Sequence, residues 1–134
     1  MTDPHRAAPA DESPARDAAS VVLLRDGAAG LEVLLQRPSA SADLDGVYVF
    51  PGGKVDAADA DAALQGLLGV PAERLPARLG EPGLTPAQAR ALLVAAAREL
   101  REEASIVLAS GAALVPWSRW ITPRNPPLGT QRFD

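Results

Sequence analysis

Three glutamates stand close together in the last third of the chain, in a segment that is otherwise apolar and rich in alanine. They are Glu99, Glu102 and Glu103. At ~100° per residue of an α-helix, Glu99 and Glu102 fall just outside an apolar stripe, whereas Glu103 falls inside its edge and is predicted to be half-buried. Like charges three and four residues apart repel, and burying an unpaired carboxylate is unfavourable. A bound divalent cation would remove both penalties.

The kind of ion follows from the ligand atoms. Carboxylate oxygens without a nearby cysteine or histidine favour a hard ion, Mg²⁺ or Mn²⁺, which also binds substrate phosphates. The alternative is a solvated acidic helix face on which Arg98 and Arg101 pair with the glutamates locally. The helix pattern alone leaves both interpretations open.

A pair of glycines upstream favours the metal site. Gly52 and Gly53 follow a predicted apolar strand at residues 47–50 and are predicted to form a turn, and glycine lets a backbone approach a ligand closely. Together with the later helix they resemble the signature of the Nudix hydrolase family, G-x5-E-x7-R-E-U-x-E-E-x-G-U, where U is a bulky apolar residue. The matching positions are Gly53, Arg98, Glu99, Leu100, Glu102, Glu103 and Ile106.

The match departs from the signature in three places. Asp59 replaces the first glutamate, and Ser105 replaces the final glycine. Residues 60–97 fill a spacer for which the signature allows only seven residues. Because the cost of closing a loop grows only logarithmically with its length, the two halves can still meet in space. An interrupted signature of this kind resembles a Nudix subgroup related to coenzyme A diphosphatases, with an insert here at residues 60–84.

A second similarity to this subgroup lies just before the glycines. Its coenzyme A-cleaving members carry the pattern R-[SA]-x3-R-x3-G-x3-F-P-G-G, to which Arg37 and Gly46 correspond, while Ala42 replaces the second arginine. Because arginine binds phosphate through paired hydrogen bonds, this replacement removes an expected phosphate contact. Coenzyme A or an acyl-CoA is therefore only suggested as the substrate.

The resemblance implies a metal-dependent hydrolase that cleaves the diphosphate bond of a nucleoside diphosphate linked to another moiety. Its Mg²⁺ or Mn²⁺ would be held by the three glutamates and the carbonyl of Gly52. Arg98 would pair with Asp59 or with a neighbouring glutamate and fix the helix against the loop. The general base would be Glu99 or Glu102, or would come from a loop outside the signature. The substrate-binding residues implied are Arg37, Gly46, Gly53 and Lys54.

A rival class is a non-catalytic Nudix-like domain that binds a nucleotide or a protein. The replacements at Asp59 and Ser105 favour it, whereas the presence of all three glutamates favours the enzyme. A screen for hydrolysis separates the two classes.

The implied fold class is α/β, an α/β/α sandwich around a mixed β-sheet. Residues 1–19 are predicted to be a disordered tail, and residues 20–134 the Nudix domain. The resemblance expects a further strand and helix after Asp134, so we expect a sandwich truncated at its C-terminus that forms a homodimer or binds a complementary chain. The insert is expected to lie outside the sheet and to be replaceable by a flexible linker.

Local patterns predict the positions of the main elements. Residues 20–26 and 31–37 are expected to form a hairpin. A long helix should begin with Thr85 as N-cap and Pro86 in its first turn, and should end near Ser105. Further expectations are a short helix capped by Asp59 or Asp61, strands at residues 113–115 and 119–122, and core or sheet positions for Trp117 and Trp120.

Composition excludes several functional classes. The net charge of −4 argues against a nucleic-acid-binding surface. The absence of cysteine excludes disulfides, zinc thiolate sites and cysteine nucleophiles. The single histidine, His5, lies in the predicted tail, so a histidine-based triad is impossible. No apolar run is long enough to span a bilayer, and residues 1–19 contain no apolar block of the kind that a signal peptide needs. We therefore expect a cytoplasmic enzyme with a small-molecule substrate and no nucleic-acid or membrane partner.

Overall fold

The computed structural model describes residues 14–37, 47–61, 71–109 and 114–122. These ranges hold four short strands, β1 (Ala18–Ser20), β2 (Leu24–Gly27), β3 (Gly30–Val33) and β4 (Gly52–Lys54). They also hold two 3₁₀ helices, Ala57–Ala60 and Ala72–Arg74, and two α-helices, α1 (Leu75–Arg78) and α2 (Pro86–Ala104). The described residues include no helix that is long and apolar enough to cross a membrane.

The strands pair in two antiparallel ribbons, β1 with β4 and β2 with β3. The β2–β3 hairpin confirms the predicted one, and its turn places Gly30 at a φ of 127°, a conformation that suits glycine. Backbone hydrogen bonds continue both ribbons, from Val21 to Pro51 at 2.8 Å and from Leu34 to Leu23 at 3.0 Å. A separate bridge, with bonds in both directions between Gln36 and Val49 at 2.9 Å, joins the chain after β3 to the segment before β4. The α/β class is therefore present, with antiparallel pairing throughout the described strands.

The hairpin has one face toward the core and one toward solvent. Leu23 and Leu34, which face each other across the ladder, pack against a cluster of Val21, Ala96 and Leu100. Because side chains alternate along a strand, the adjacent residues point away from this cluster. The exposed residues of the hairpin and its extensions include Val22, Leu24, Leu31, Val33 and Leu35.

Helix α2 begins as its sequence predicts. Thr85 is the N-cap, its hydroxyl accepts the backbone N–H of Gln88, and the Gln88 side chain accepts the N–H of Thr85 in return. The buried face of α2 is broader than the single apolar stripe predicted from the sequence, because α2 packs against both the insert and the strands. Its buried residues are Ala89, Ala91, Val94, Ala95, Ala96 and Leu100. Glu103 is exposed, so its predicted half-burial is wrong.

Two core clusters flank α2, and one of them includes the insert. Ala72 and Leu75 are buried against Ala89 and Val94 in the N-terminal half of α2. Arg78 also donates to the carbonyl of Leu114 at 3.3 Å, which ties α1 to the segment after α2. Ala72 and Leu75 of the insert are therefore part of the hydrophobic core. This packing counts against the expectation that a flexible linker can replace the insert, which denaturation of a linker variant would test.

Several element boundaries differ from the expectations. The predicted tail ends too late, because residues 18 and 19 pair with β4. The N-cap of the first 3₁₀ helix is Asp56, whereas Asp59 lies inside the helix. Residues 1–13, 62–70 and 123–134 lie outside the described ranges.

The segment after α2 forms no strand over residues 114–122. A strand needs a neighbouring strand with which to form a ladder, and none of the described ladders includes this segment. Trp117 and Trp120 are 91% and 74% exposed, so their expected core or sheet positions are wrong.

The end of α2 gives a prediction about stability. Ser105 follows the helix with a φ of 57° and a ψ of 25°, which is the left-handed region of backbone conformation. The Nudix signature has glycine at the corresponding position. The N–H of Ile106 reaches back to the carbonyl of Leu100 at 3.4 Å and closes the turn. Because a Cβ is unfavourable in this conformation, Ser105→Gly should raise the free energy of unfolding by about 0.5–1 kcal/mol. Urea denaturation measures the change. Ser105→Ala, which keeps the Cβ, is the matched control and should show no gain.

Candidate active site at the end of the long helix

Arg98 lies at the centre of the candidate site. Its Nε and Nη2 donate to the two carboxylate oxygens of Asp59, each at 3.0 Å. Nη2 also donates to the carbonyl of Lys54 at 2.8 Å, and Nη1 donates to Glu99 at 2.8 Å and to Glu102 at 3.1 Å. A guanidinium carries five N–H groups, so these contacts use all of them. Arg98 thus ties α2 to β4 and to the first 3₁₀ helix.

Asp59 is the buried partner of this arginine, with a side chain that is 3% exposed. Its Oδ2 also accepts the backbone N–H of Asp56 at 2.8 Å. Burial by itself raises the pKa of Asp59, but the hydrogen bonds from Arg98 and Asp56 and the charge of Arg98 outweigh it, so the pKa lies below 3.8. The hydrogen bond to Asp59 likewise raises the pKa of Arg98 above its ordinary value. The pair is therefore ionic.

The lowered pKa of Asp59 predicts a loss of stability in acid. A carboxyl whose pKa is lower in the folded state stabilises the fold fully above its unfolded pKa of about 3.8, and this contribution is lost as pH falls through the folded pKa. Urea denaturation at several pH values from 6 to 2 should therefore show stability falling below about pH 4. Asp59→Asn should flatten part of this fall. Asp26→Asn, on exposed β2, is the control; an equal flattening there would contradict the assignment.

Gly52 and Gly53 lie within β4, so the predicted Gly-Gly turn is wrong. Their role is close approach. A Cβ on Gly53 would collide with the carboxylate of Glu99, and one on Gly52 would lie 2.6 Å from the carbonyl oxygen of Ala19. The absence of side chains therefore lets β4 contact both β1 and the end of α2.

Glu103 is held by a second set of contacts between α2 and the strands. Its Oε2 accepts the backbone N–H of Gly52 at 2.8 Å and also the side-chain amide of Gln36. Gln36 is not among the residues predicted to form the site. The available signal was the alternation in its strand, which puts Gln36 on the same face as Leu34 and so predicts a polar side chain directed toward the core.

The donor atoms of the three glutamates and their neighbours determine whether a metal ion fits between them. In the part of the chain that the structure describes, no group of three carboxylate, histidine or cysteine side chains is placed to hold a metal ion as it stands. Nη1 of Arg98 lies between Glu99 and Glu102 instead. The donors nevertheless fit a hard cation in kind, because each glutamate has one oxygen that accepts no hydrogen bond from a described residue. The arginine nitrogen shows that a positive group can occupy the space between two of them.

The predicted substrate residues are only partly brought together. Gly53 lies against Glu99, and the Lys54 carbonyl against Arg98. The Lys54 side chain lines an open groove near the start of α2, with Arg16, Asp17, Asp56 and Gln88 among its other lining residues. Arg37 lies over the ring of Tyr48, 5.4 Å from its centroid, and so contacts the segment before β4. Gly46 lies outside the described residues.

Comparisons with known proteins found no match for this chain. No family model matches the chain, and neither a curated protein nor a solved structure matches it. The resemblance to the Nudix signature therefore rests on the motif residues and their geometry.

Proposed function

We propose that the chain is a metal-dependent hydrolase of the Nudix type, which cleaves the diphosphate bond of a nucleoside diphosphate linked to another moiety. The observation that supports it best is the ion pair between Asp59 and Arg98, which lie 39 positions apart. This pair joins the two halves of the interrupted signature across the insert. A solvated acidic helix face, the alternative interpretation, requires no buried partner for Arg98. We accordingly assign the described strands and α2 to an α/β/α sandwich.

In this proposal Glu99, Glu102, Glu103 and the Gly52 carbonyl hold the cation. When bound, Mg²⁺ or Mn²⁺ neutralises phosphate charge and lowers the pKa of the attacking water. Arg98 has two roles. Through Nε and Nη2 it anchors α2 to Asp59, and through Nη1 it neutralises Glu99 and Glu102 while no metal is present. For Glu99 and Glu102 to bind a cation, only their contacts with Nη1 of Arg98 would have to change, while Nε and Nη2 keep their contacts with Asp59.

The two candidates for the general base differ in accessibility. The Glu99 side chain is 15% exposed and lies against Gly53, whereas that of Glu102 is 48% exposed. A base must reach a water molecule at the substrate, so the more open carboxylate suits this role better. We therefore assign Glu99 as the more rigid ligand and Glu102 as the general base, which would hold the cation through one oxygen and accept the proton on the other.

The substrate class follows from charge and from the resemblance. With a net charge of −4, the chain needs a cation to hold a polyanion. With a cation there, the diphosphate would bind beside the glutamates and Gly53, and Lys54 would be available to contact the remaining moiety. Coenzyme A and acyl-CoA are the first substrates to test.

A hydrolysis screen tests the proposal. The compounds are coenzyme A, NADH, ADP-ribose and dinucleoside polyphosphates, each with Mg²⁺ or Mn²⁺. We expect turnover of at least one, and we expect Glu102→Gln to lower kcat at least ~100-fold, the effect typical of losing a general base. The control is Glu81→Gln, which removes a glutamate that pairs with Arg119 away from the site. Nucleotide binding without turnover would identify the non-catalytic class instead.

A further inference from the structure

Gln36 is fixed beside the candidate metal ligands by its backbone. Its N–H donates to the carbonyl of Val49, and its carbonyl accepts the N–H of Val49, both at 2.9 Å. On the same face of the strand, Leu34 packs against the cluster that contains Leu100 of α2. The amide side chain of Gln36 is therefore held at the C-terminal end of α2, 67 positions away along the chain from the glutamate that it contacts.

The contacts of Glu103 are unequally divided between its two oxygens. Both donors, the amide of Gln36 and the backbone N–H of Gly52, bind Oε2. Oε1 accepts no hydrogen bond from any described residue. Since Glu103 lies on an exposed part of the helix, these two donors are what restrict its side chain.

We propose that Gln36 is a positioning residue for Glu103 as a metal ligand, holding Oε2 so that Oε1 remains available to the cation. This inference rests on the proposed function. A neutral amide suits the task, because it donates a hydrogen bond without bringing a positive charge that would compete with the metal. Partners of this kind orient a ligand before the metal arrives, and their loss typically weakens metal affinity 10–100-fold.

The test is Mn²⁺ binding to the full chain, measured by calorimetry and by the electron paramagnetic resonance signal of free Mn²⁺. We expect Gln36→Leu to weaken Mn²⁺ affinity about tenfold and Glu103→Gln to weaken it at least as much. Glu32→Gln, which removes an exposed carboxylate on β3, should leave the affinity unchanged. Thermal unfolding without metal identifies variants that fail to fold. If Gln36→Leu is one of them, the measurement is made on Gln36→Asn, which keeps the amide but shortens its reach.

A double variant separates positioning from a general structural effect. If Gln36 acts through Glu103, Gln36→Leu should weaken Mn²⁺ binding little further in a Glu103→Gln background. Full additivity of the two losses, or unchanged affinity in Gln36→Leu while Glu103→Gln binds weakly, would overturn the inference and leave the proposed function standing. Unchanged affinity in Glu103→Gln, or no Mn²⁺ binding at all, would overturn the metal site itself and the inference with it.

Discussion

Replacement of Arg98 by methionine is expected to lower the free energy of unfolding by about 3–5 kcal/mol, the usual result of removing one partner of a buried ion pair. The variant leaves Asp59, 3% exposed, without its counter-charge, and it leaves the carbonyl of Lys54 without its donor. Urea denaturation at neutral pH measures the loss. A methionine of similar length limits the contribution of packing to the result.

Two further variants make this measurement specific. Arg25→Met removes an arginine from the pair with Glu32, whose side chains are 81% and 47% exposed, and should change stability by less than about 1 kcal/mol. The double variant Arg98→Met/Asp59→Leu removes both buried charges and should recover much of the lost stability. A loss in Arg98→Met as small as that in Arg25→Met would show that the pair does not hold the site together.

Replacement of Leu75 by alanine is expected to lower the free energy of unfolding by about 2–5 kcal/mol. Leu75, in α1 of the insert, is fully buried against α2, where it packs with Ala89 and Val94. Truncation removes buried apolar surface and leaves a cavity that its neighbours fill only in part. Thermal and urea denaturation measure the loss. The control is Leu31→Ala, which truncates a 69% exposed leucine on β3 and should have little effect.

The same measurement decides the status of the insert. An equally small loss in both leucine variants would indicate that α1 is dispensable for the fold. The expected large loss of unfolding free energy in Leu75→Ala would mean that the insert stabilises the helix that carries the second half of the signature.

The features that could be predicted from the sequence are those that depend on residues close together in the chain. The start of α2 depends on Thr85, Pro86 and Gln88, all within one turn, so their order is enough to predict it. The hairpin likewise follows from two β-rich segments and the glycines between them. The glycines of β4 are predicted to form a turn that approaches a ligand, whereas they are strand residues that approach β1 and Glu99.

The features that could not be predicted depend on packing between distant segments. The sequence of the insert does not indicate that Leu75 packs on α2, because that contact joins two segments that are separate in the chain. Gln36 is an ordinary polar residue until Gly52 and Glu103 are placed beside it. The helical stripe predicted half-burial of Glu103 from angle alone, but exposure near the end of α2 depends on where the sheet stops.

Because all five donors of Arg98 are used, charge alone does not define what this position requires. A lysine would preserve the charge but has three donors on one nitrogen, too few and too close together for acceptors on three elements. A search for distant relatives of this chain should therefore score arginine and lysine at position 98 as different residues. Arginine there, with an acidic partner before an insert of any length, would be a more discriminating marker than the length of the spacer.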